Sequence, residues 1–296
     1  MAPQGIPLID ISPYLNSDSS AEIKAKVIDQ VKSACSTYGF LQITGHGVPA
    51  DTQRNMLDCC KTLFDLPQAQ KDALSLKNNQ ARRGYERIGF YIGREIPPES
   101  AGFLRGPNQW PDLPDQAFHA PVTDYYEHML RLTHHLLEML VLALGYETEN
   151  LTTLTAEPVM NLKLLHYPPH SSKDTRQFGA GAHTDFGTLT VLLQQPGKHG
   201  LEVYHAADDE WLSVPAVEDV FVVNMGDLIQ KWTGGEYSST RHRVINAADG
   251  DRYSVPCFYQ GDLRATNPFK PGEVDGETVE MHIRRKFDQS YGLNGK

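Results

Sequence analysis

Two histidines and an aspartate offer the ligands of a metal site. His183 and Asp185 lie two residues apart, just before a predicted strand, and His242 lies on another predicted strand. Since alternate residues of an extended chain point to the same side, the imidazole and the carboxylate can converge on one ion. Two histidines and one carboxylate form the facial triad of non-haem Fe(II) oxygenases, which leaves three positions for small ligands.

Zinc is the alternative metal for these donors. A catalytic zinc site with two histidines and an aspartate is chemically possible. A zinc hydrolase also needs a general acid or base beside the metal, however, and no glutamate adjoins either histidine. The sequence therefore favours Fe(II).

Arg252 and Ser254 form a candidate receptor for a carboxylate on one side of a predicted strand. The guanidinium can donate two parallel charge-assisted hydrogen bonds and the hydroxyl a third. With 246–251 as a connecting loop, Arg252 is expected opposite Ile245, roughly 10 Å from His242. A metal chelate that extends through two methylenes to a distal carboxylate would bridge that gap, and 2-oxoglutarate has that shape.

The second half of the chain has the pattern of a mainly β fold. From residue 159 onward, short period-two segments are separated by Gly, Pro, Asn or Asp. Strands are predicted at 162–167, 188–193, 201–204, 220–224, 242–245 and 253–258. Because no helices alternate with them, a Rossmann-like parallel sheet is not expected, and a double-stranded β-helix (jelly roll) is.

The first half is mainly helical in pattern. Helices are predicted from a capping box at 19–22 to a C-terminal stop at Gly39, from Asp51 to about 64, and over 125–144. Residues 77–121 lack periodicity and are predicted to be a long loop, and the chain from 281 is helical again. We expect one compact unit, in which a helical wrapping region (1–155) surrounds a catalytic jelly roll with a C-terminal helix (156–296).

Charge and composition exclude several classes of partner. The 296 residues carry 27 Lys+Arg and 37 Asp+Glu, a net charge of −10, which repels nucleic acid and anionic membranes. No apolar run is long enough to span a bilayer, and no secretory signal is recognisable. The four cysteines have no metal-site or C-x-x-C spacing. We therefore expect a cytoplasmic protein that acts on a small molecule, and its oligomeric state stays open.

In several motifs the chain resembles the 2-oxoglutarate and Fe(II)-dependent dioxygenase superfamily, in the branch similar to isopenicillin N synthase. The likeness covers nearly the whole chain. The N-terminal motifs are Ile6-Pro-Leu-Ile-Asp10, Gly39-Phe-Leu-Gln-Ile-Thr-Gly-His-Gly-Val-Pro49 and Phe64-Asp-Leu-Pro67; the core motifs are His183-Thr-Asp185, Leu201-Glu-Val203, Val223-Asn-Met-Gly-Asp227, His242-Arg-Val244 and Arg252-Tyr-Ser254.

This resemblance implies a role for each matching residue. His183, Asp185 and His242 would bind Fe(II), and Arg252 and Ser254 would bind the distal carboxylate of 2-oxoglutarate. Tyr167 matches the tyrosine of the family's Asn-x-Tyr motif and would add a hydrogen bond to this co-substrate. Leu165 replaces the asparagine of that motif, so one polar contact is absent.

The implied reaction consumes O2 and 2-oxoglutarate, releases succinate and CO2, and oxidises a small specialised metabolite. Hydroxylation is the commonest outcome; desaturation, epoxidation and ring formation or expansion are variants. Candidate substrate contacts are Phe258, which shares a strand face with Arg252 and Ser254, and Tyr85, Arg94 and Phe103, which lie in segments that cover the barrel mouth in the family.

Two other functions remain open on the sequence. One is a 2-oxoglutarate-independent Fe(II) oxidase or cyclase similar to isopenicillin N synthase, in which the Arg252 and Ser254 pair would hold a substrate carboxylate. The other is a sensor that keeps the metal and ligand sites without turnover. The intact set of metal and carboxylate-binding residues argues against the sensor.

Overall fold

Short strands arranged in two sheets form the centre of the molecule. The computed structural model describes residues 5–79, 81–169, 178–245, 250–270 and 276–291. The strands of these segments are β1 (Leu8–Asp10), β2 (Phe40–Thr44), β3 (Gly84–Glu86), β4 (Gly89–Gly93), β5 (Pro158–Tyr167), β6 (Phe178–His183), β7 (Leu189–Gln194), β8 (Leu201–His205), β9 (Glu210–Ser213), β10 (Phe221–Met225), β11 (His242–Ile245) and β12 (Arg252–Asp262).

The larger sheet has the order β1-β2-β10-β7-β12-β5-β4-β3, and the smaller sheet has the order β6-β11-β8-β9. Pairing is antiparallel except between β1 and β2. Side chains from both sheets meet in one apolar cluster, in which Phe40 and Tyr167 of the larger sheet pack with Val203 and Val244 of the smaller. The mainly β fold with a jelly-roll core is therefore confirmed.

The period-two pattern sorts the side chains of the larger sheet onto two faces. On β12, the odd-numbered residues from Tyr253 to Tyr259 are buried in the core cluster that includes the helices. The even-numbered residues from Arg252 to Phe258 line the space between the two sheets. On β5 the same alternation places Leu162 and Leu164 in that core cluster, on the face of the sheet that contacts the helices. One strand thus supplies both core packing and inward-facing polar groups.

The helices are α1 (Ser12–Leu15), α2 (Ala21–Thr37), α3 (Ala50–Phe64), α4 (Gln68–Ala73), α5 (His119–Ala143), α6 (Asp227–Trp232) and α7 (Val279–Tyr291). The three longest pack on the outer face of the larger sheet. The longest, α5, buries Met129, Leu132, Leu136 and Leu140 at helical spacing. Each fully buried leucine contributes about 1.5–3 kcal/mol, so these side chains anchor α5 in the core, where it packs on α2 and α3.

The three helices predicted in the first half of the chain are present, and their exact ends differ from the prediction. The side-chain cap of α2 is Ser20, whose Oγ accepts a hydrogen bond from the Ile23 amide. The region 77–121 is not a plain loop, because β3 and β4 form a hairpin there that extends the larger sheet. Strands β1, β6 and β9 were also not predicted. In β6 the sequence Phe-Gly-Ala-Gly-Ala-His has too few large side chains to alternate.

Strands of the N-terminal half complete the larger sheet at both edges. Strands β1 and β2 lie at one edge, and β3 and β4 at the other. The proposed division at residues 155 and 156 stays a prediction, and a helical wrapping region is an incomplete description of residues 1–155. None of the described helices combines the length and apolar character that crossing a membrane requires.

Candidate active site

The two histidines of the predicted metal site face each other on neighbouring strands. His183 ends β6 and His242 begins β11, and they are direct partners in the antiparallel register. Their ring centroids lie 4.3 Å apart. Asp185 follows two residues after His183, so the turn that leaves β6 brings its carboxylate beside both rings.

One oxygen of Asp185 lies near both imidazoles. Asp185 Oδ1 is 3.9 Å from His183 Nε2 and 3.8 Å from His242 Nε2. One ligand atom from each of the three residues falls within 4.8 Å of the others. This is the only such group of three among the described residues. The side chain of His183 is 45% exposed and that of Asp185 only 7%, so the cluster is open on the His183 side.

Backbone carbonyls fix the tautomer of each histidine. His183 Nδ1 lies 2.7 Å from the Gly181 oxygen, and His242 Nδ1 lies 3.2 Å from the Thr240 oxygen. Because a carbonyl only accepts, both Nδ1 atoms donate, which leaves the Nε2 lone pairs for a cation. A second hydrogen bond of this kind is usual for metal-binding histidines.

The other oxygen of Asp185 is held by two neutral donors. Thr190 Oγ1 donates to Asp185 Oδ2 at 2.6 Å, and Asn224 Nδ2 donates at 2.8 Å. Burial alone would raise the pKa of Asp185, but the imidazoles and these hydrogen bonds outweigh it and lower the pKa below its usual value. The carboxylate is therefore ionised, with Oδ1 left for a cation.

Burial also keeps the second histidine neutral. It lowers the pKa of His242, and the opposing effect of Asp185 does not cancel it. A neutral imidazole is the form that binds metals. The three donors therefore fit Fe(II), with nitrogen and oxygen atoms on one side and open space on the other.

Arg252 reaches the space between the sheets from the larger sheet. The expectation that it lies opposite Ile245 is wrong, because β11 pairs with β6 and β8 whereas β12 pairs with β5 and β7. Residues 246–249 of the predicted connecting loop lie outside the described residues. Arg252 instead lies opposite Tyr167 in the register of β12 and β5.

One nitrogen of the buried Arg252 guanidinium has no partner. Arg252 Nε donates to the Lys198 carbonyl at 3.3 Å, and Nη2 donates to Gln194 Oε1 at 3.2 Å. Nη1 is buried without a hydrogen bond. Burial lowers the pKa of Arg252, although a guanidinium stays charged at neutral pH. An unpaired buried donor with a full charge indicates a missing anionic ligand.

A cavity of about 140 Å³ connects Arg252 to the metal ligands. Ser254 and Tyr167 line it beside Arg252, and the guanidinium carbon lies 4.9 Å from the centre of the Tyr167 ring. His183, Asp185 and His242 line the same cavity. The cavity thus contains both a cationic group and the candidate metal ligands, which fits a dicarboxylate such as 2-oxoglutarate.

A second cavity, of about 200 Å³, adjoins the first. His183 and Asp185 lie in the walls of both, and so do Lys163 and Phe258. Helix α7 contributes Ile283 and Phe287 to the second cavity alone. A molecule bound there would lie next to the metal ligands and opposite the first cavity.

The other predicted substrate residues are placed differently. Phe103 is not in the cavity wall but packs edge-on against Phe287, which is, with ring centroids 6.0 Å apart. Tyr85 packs near Phe64 instead. Arg94 lines a separate, much smaller cavity. Of the four candidates, the structure brings Phe258 to the metal ligands and Phe103 to the surroundings of the second cavity.

Sequence reasoning missed the residues that hold the site in place. Thr190, Asn224 and Gln194 contact Asp185 or Arg252 through side chains on β7 and β10. The sequence did mark Asn224, because it lies in one of the motifs that carry the family resemblance. Thr190 and Gln194 share one face of β7 by period two, but the sequence alone does not show that this face points toward the site.

Two family models match the chain. The model described as the 2OG-Fe(II) oxygenase superfamily matches residues 157–261. The model described as the N-terminal region of a non-haem dioxygenase in morphine synthesis matches residues 6–113. The first range contains all three candidate metal ligands and Arg252.

Similar proteins match over nearly the full length. The 2-oxoglutarate-dependent dioxygenase caaD of Aspergillus niger is 50% identical, covering 97% of this chain and 94% of that relative. The 2-oxoglutarate-dependent dioxygenase traH of Penicillium crustosum is 46% identical, with the same coverage. Among solved structures, a Neurospora crassa protein in complex with alpha-KG and 5-formyluracil has a TM-score of 0.83 at 24% identity, covering 95% of each chain.

Proposed function

This chain belongs to the 2-oxoglutarate- and Fe(II)-dependent dioxygenases, and we propose that it hydroxylates a carbon of a small specialised metabolite. It is an enzyme that uses Fe(II), 2-oxoglutarate and O2. The single observation that carries the proposed site is the approach of Asp185 Oδ1 to both histidine Nε2 atoms.

We assign the metal to His183, Asp185 and His242. The carbonyls of Gly181 and Thr240 support this assignment, because they leave both Nε2 atoms as acceptors. When bound, Fe(II) supplies the coupling between oxidative decarboxylation of 2-oxoglutarate by O2 and oxidation of the substrate. The task of the chain is to hold three ligands on one side of the ion and to leave the other side free.

We assign the distal carboxylate of 2-oxoglutarate to Arg252 and Ser254, with Tyr167 beside it. The unpaired Nη1 of Arg252 supports this, since a carboxylate would complete its hydrogen bonds. Gln194 and the Lys198 carbonyl restrain the guanidinium before the ligand arrives. The same pair could hold a substrate carboxylate in a 2-oxoglutarate-independent oxidase, but the relatives are named for their dependence on 2-oxoglutarate.

The substrate site is the second cavity. Its wall shares His183, Asp185 and Phe258 with the first cavity, so a carbon atom there lies close to the metal position. Phe287 and Ile283 of α7 form part of its wall, and apolar side chains there would limit unproductive reaction with water. Hydroxylation needs only this proximity, whereas desaturation, epoxidation and ring formation or expansion need further control of the substrate radical.

The remaining expectations stay predictions. They are a cytoplasmic location and the absence of nucleic-acid and membrane partners. The net charge of −10 supports the exclusion of polyanionic partners.

Succinate release tests the proposed function. Purified protein loaded anaerobically with Fe(II) is exposed to O2 with 2-oxoglutarate, first alone and then with a set of small fungal metabolites. We expect slow succinate formation alone, faster formation with a substrate, and a product heavier by one oxygen atom. Asp185→Ala should abolish all succinate formation. Substrate oxidation without succinate would instead indicate the 2-oxoglutarate-independent oxidase.

A further inference from the structure

Two amide side chains in the second cavity have no hydrogen-bond partner. Asn161 on β5 and Gln260 on β12 are 7% and 8% exposed and both line this cavity. Asn161 Oδ1 and Gln260 Oε1 are buried without a hydrogen bond. An amide can present either its oxygen or its NH2 group after rotation, so each can contact a bound molecule.

Buried amide oxygens without a hydrogen bond destabilise the folded protein when the site is empty. Leaving a buried polar atom without a partner generally costs more than a formed hydrogen bond contributes, and native proteins keep few such atoms. Two of the six that occur among the described residues lie in this one cavity. A ligand that offers polar atoms to Asn161 and Gln260 would remove the cost.

A lysine adds positive charge to the same wall. Lys163 follows Asn161 on the inward face of β5, and its ammonium lies 4.9 Å from the centre of the Tyr91 ring. No carboxylate of the described residues lies within ion-pair distance of it. Among the described residues, the only carboxylate in the cavity wall is that of Asp185, whose two oxygens face the histidines and the donors Thr190 and Asn224. Apart from the ring of Tyr91, the charge of Lys163 therefore has no partner among the described residues of the cavity wall, and in particular no carboxylate.

The rest of the wall is aromatic and aliphatic. Tyr91, Phe186, Phe258 and Phe287 line it together with Leu104. Such surfaces suit a flat, apolar body. The cavity has a volume of about 200 Å³. Sites for drug-sized ligands usually have volumes of about 300–1,000 Å³, so this cavity suits a smaller ligand.

Two of the five non-glycine residues with a positive φ in the described parts of the chain line this cavity. Arg82 has φ 57° and Leu104 has φ 56°, values that side chains other than glycine rarely adopt. Both residues line the cavity, and the Arg82 guanidinium lies 5.0 Å from the centre of the Phe287 ring. Strained conformations of this kind are kept mainly where a binding surface requires them.

We propose that the second cavity binds a small aromatic carboxylic acid. Its carboxylate pairs with Lys163, its ring lies between the aromatic side chains, and Asn161 and Gln260 form hydrogen bonds with its polar substituents. The proposal rests on the proposed function, because it names the substrate class of that site. It makes Lys163, Asn161 and Gln260 the residues that determine specificity.

The position of Lys163 allows one competing role. Lys163 lines the first cavity as well as the second, so its ammonium could contact 2-oxoglutarate instead of the substrate. If Lys163 contacts the substrate, its replacement should weaken binding of the aromatic acid. If it contacts 2-oxoglutarate, its replacement should weaken binding of 2-oxoglutarate, so binding measurements distinguish the two roles.

Calorimetric titration of the protein loaded with Mn(II) and 2-oxoglutarate tests the proposal. The probes are benzoate and salicylate, each compared with its uncharged amide, benzamide or salicylamide. We expect at least one carboxylate to bind about tenfold or more tightly than its amide, because a charge-assisted hydrogen bond is lost in the amide. Lys163→Met should remove this preference and leave the Kd of 2-oxoglutarate unchanged. Lys61→Met, at an exposed position on α3, is the matched control and should change neither.

Several outcomes would overturn the proposal. They are equal affinity for carboxylates and amides, no binding of any probe, and a Lys163→Met variant that keeps the preference. Weaker binding of 2-oxoglutarate in this variant would assign Lys163 to the co-substrate. Lys163→Gln, which keeps a polar group, serves if Lys163→Met does not fold. Succinate formation by the same preparations separates these failures from failure of the proposed function, since it needs no aromatic acid.

Discussion

His183 and His242 are direct cross-strand partners whose ring centroids lie 4.3 Å apart, with Asp185 Oδ1 less than 4 Å from both Nε2 atoms. The antiparallel register of β6 and β11 therefore sets the metal geometry. We expect His183→Ala and His242→Ala each to abolish succinate formation and to weaken Mn(II) binding strongly. Titration calorimetry with Mn(II) checks this, and a variant with unchanged Mn(II) affinity would remove that histidine from the site.

Thr190 should act on the metal through Asp185. Its hydroxyl donates to Asp185 Oδ2 at 2.6 Å, so Thr190→Val removes a restraint on the ligand while keeping the shape of the side chain. We expect Mn(II) affinity to fall about 10–100-fold, as is typical when a group that orients a metal ligand is lost. Thr188→Val is the control, because Thr188 donates to the Gln260 carbonyl instead. Equal effects of the two substitutions on Mn(II) affinity would contradict this role.

Arg252 should govern affinity for 2-oxoglutarate and not for the metal. Arg252→Ala is expected to raise the apparent KM for 2-oxoglutarate about tenfold or more, because a buried charge-assisted hydrogen bond is lost. Arg252→Lys should recover only part of it, since an ammonium cannot donate the parallel pair of bonds. Steady-state kinetics and Mn(II) titration measure the two effects separately. Unchanged co-substrate affinity in Arg252→Ala would refute the assignment.

The candidate metal and co-substrate residues were recognisable in the sequence because they form short-range pairs. Arg252 and Ser254 follow period two within β12, and Asp185 lies two residues after His183, in the turn that leaves β6. Which strands face each other is decided by long-range pairing instead. This is why the expected alignment of Arg252 with Ile245 was wrong, and why the partner of Arg252 in the register is Tyr167.

The second cavity was less predictable because its wall comes from distant segments. Leu104, Gln260 and Phe287 meet there only through the tertiary fold. The position of Phe258 in this wall could be anticipated because it shares a strand face with Arg252 and Ser254. Tyr85 and Arg94 were chosen from a loop region whose hairpin, β3 and β4, has no alternating pattern that fixes which side chains point inward.

Phe287 should couple O2 consumption to substrate oxidation. It lines the second cavity from α7 and packs edge-on against Phe103 and Phe186. We expect Phe287→Ala to admit water and to lower the ratio of oxidised substrate to succinate. Phe269→Ala is the control, because Phe269 packs on Tyr146 and does not line this cavity. The ratio of oxidised substrate to succinate is measured in one reaction for each variant. An equal ratio in Phe287→Ala and Phe269→Ala would contradict this role of Phe287.

Glu277 should stabilise α7 in a manner that depends on pH. Lys231 and Arg285 contact its carboxylate. Although partial burial opposes it, these contacts lower the pKa of Glu277 from 4.5 to about 2. The stabilisation is therefore complete above the unfolded pKa and is lost as pH falls from 4.5 to about 2.

Glu277→Gln should accordingly lower Tm at pH 7 by about 1–3 °C, since such a network contributes about 1 kcal/mol. The difference from the native protein should shrink as pH falls below 4.5. Glu280→Gln, which removes only the exposed pair with Arg284, should change Tm less. Thermal unfolding between pH 7 and pH 3 measures this, and a Tm difference that grows on acidification would contradict the assigned direction.

The most direct test of the account is a crystal structure of the protein with Mn(II) and 2-oxoglutarate. We predict the metal on His183 Nε2, Asp185 Oδ1 and His242 Nε2, and the distal carboxylate of 2-oxoglutarate on Arg252 Nη1 and Ser254. A metal bound elsewhere, or a 2-oxoglutarate whose distal carboxylate lies on Lys163 and leaves Arg252 Nη1 unpaired, would contradict it.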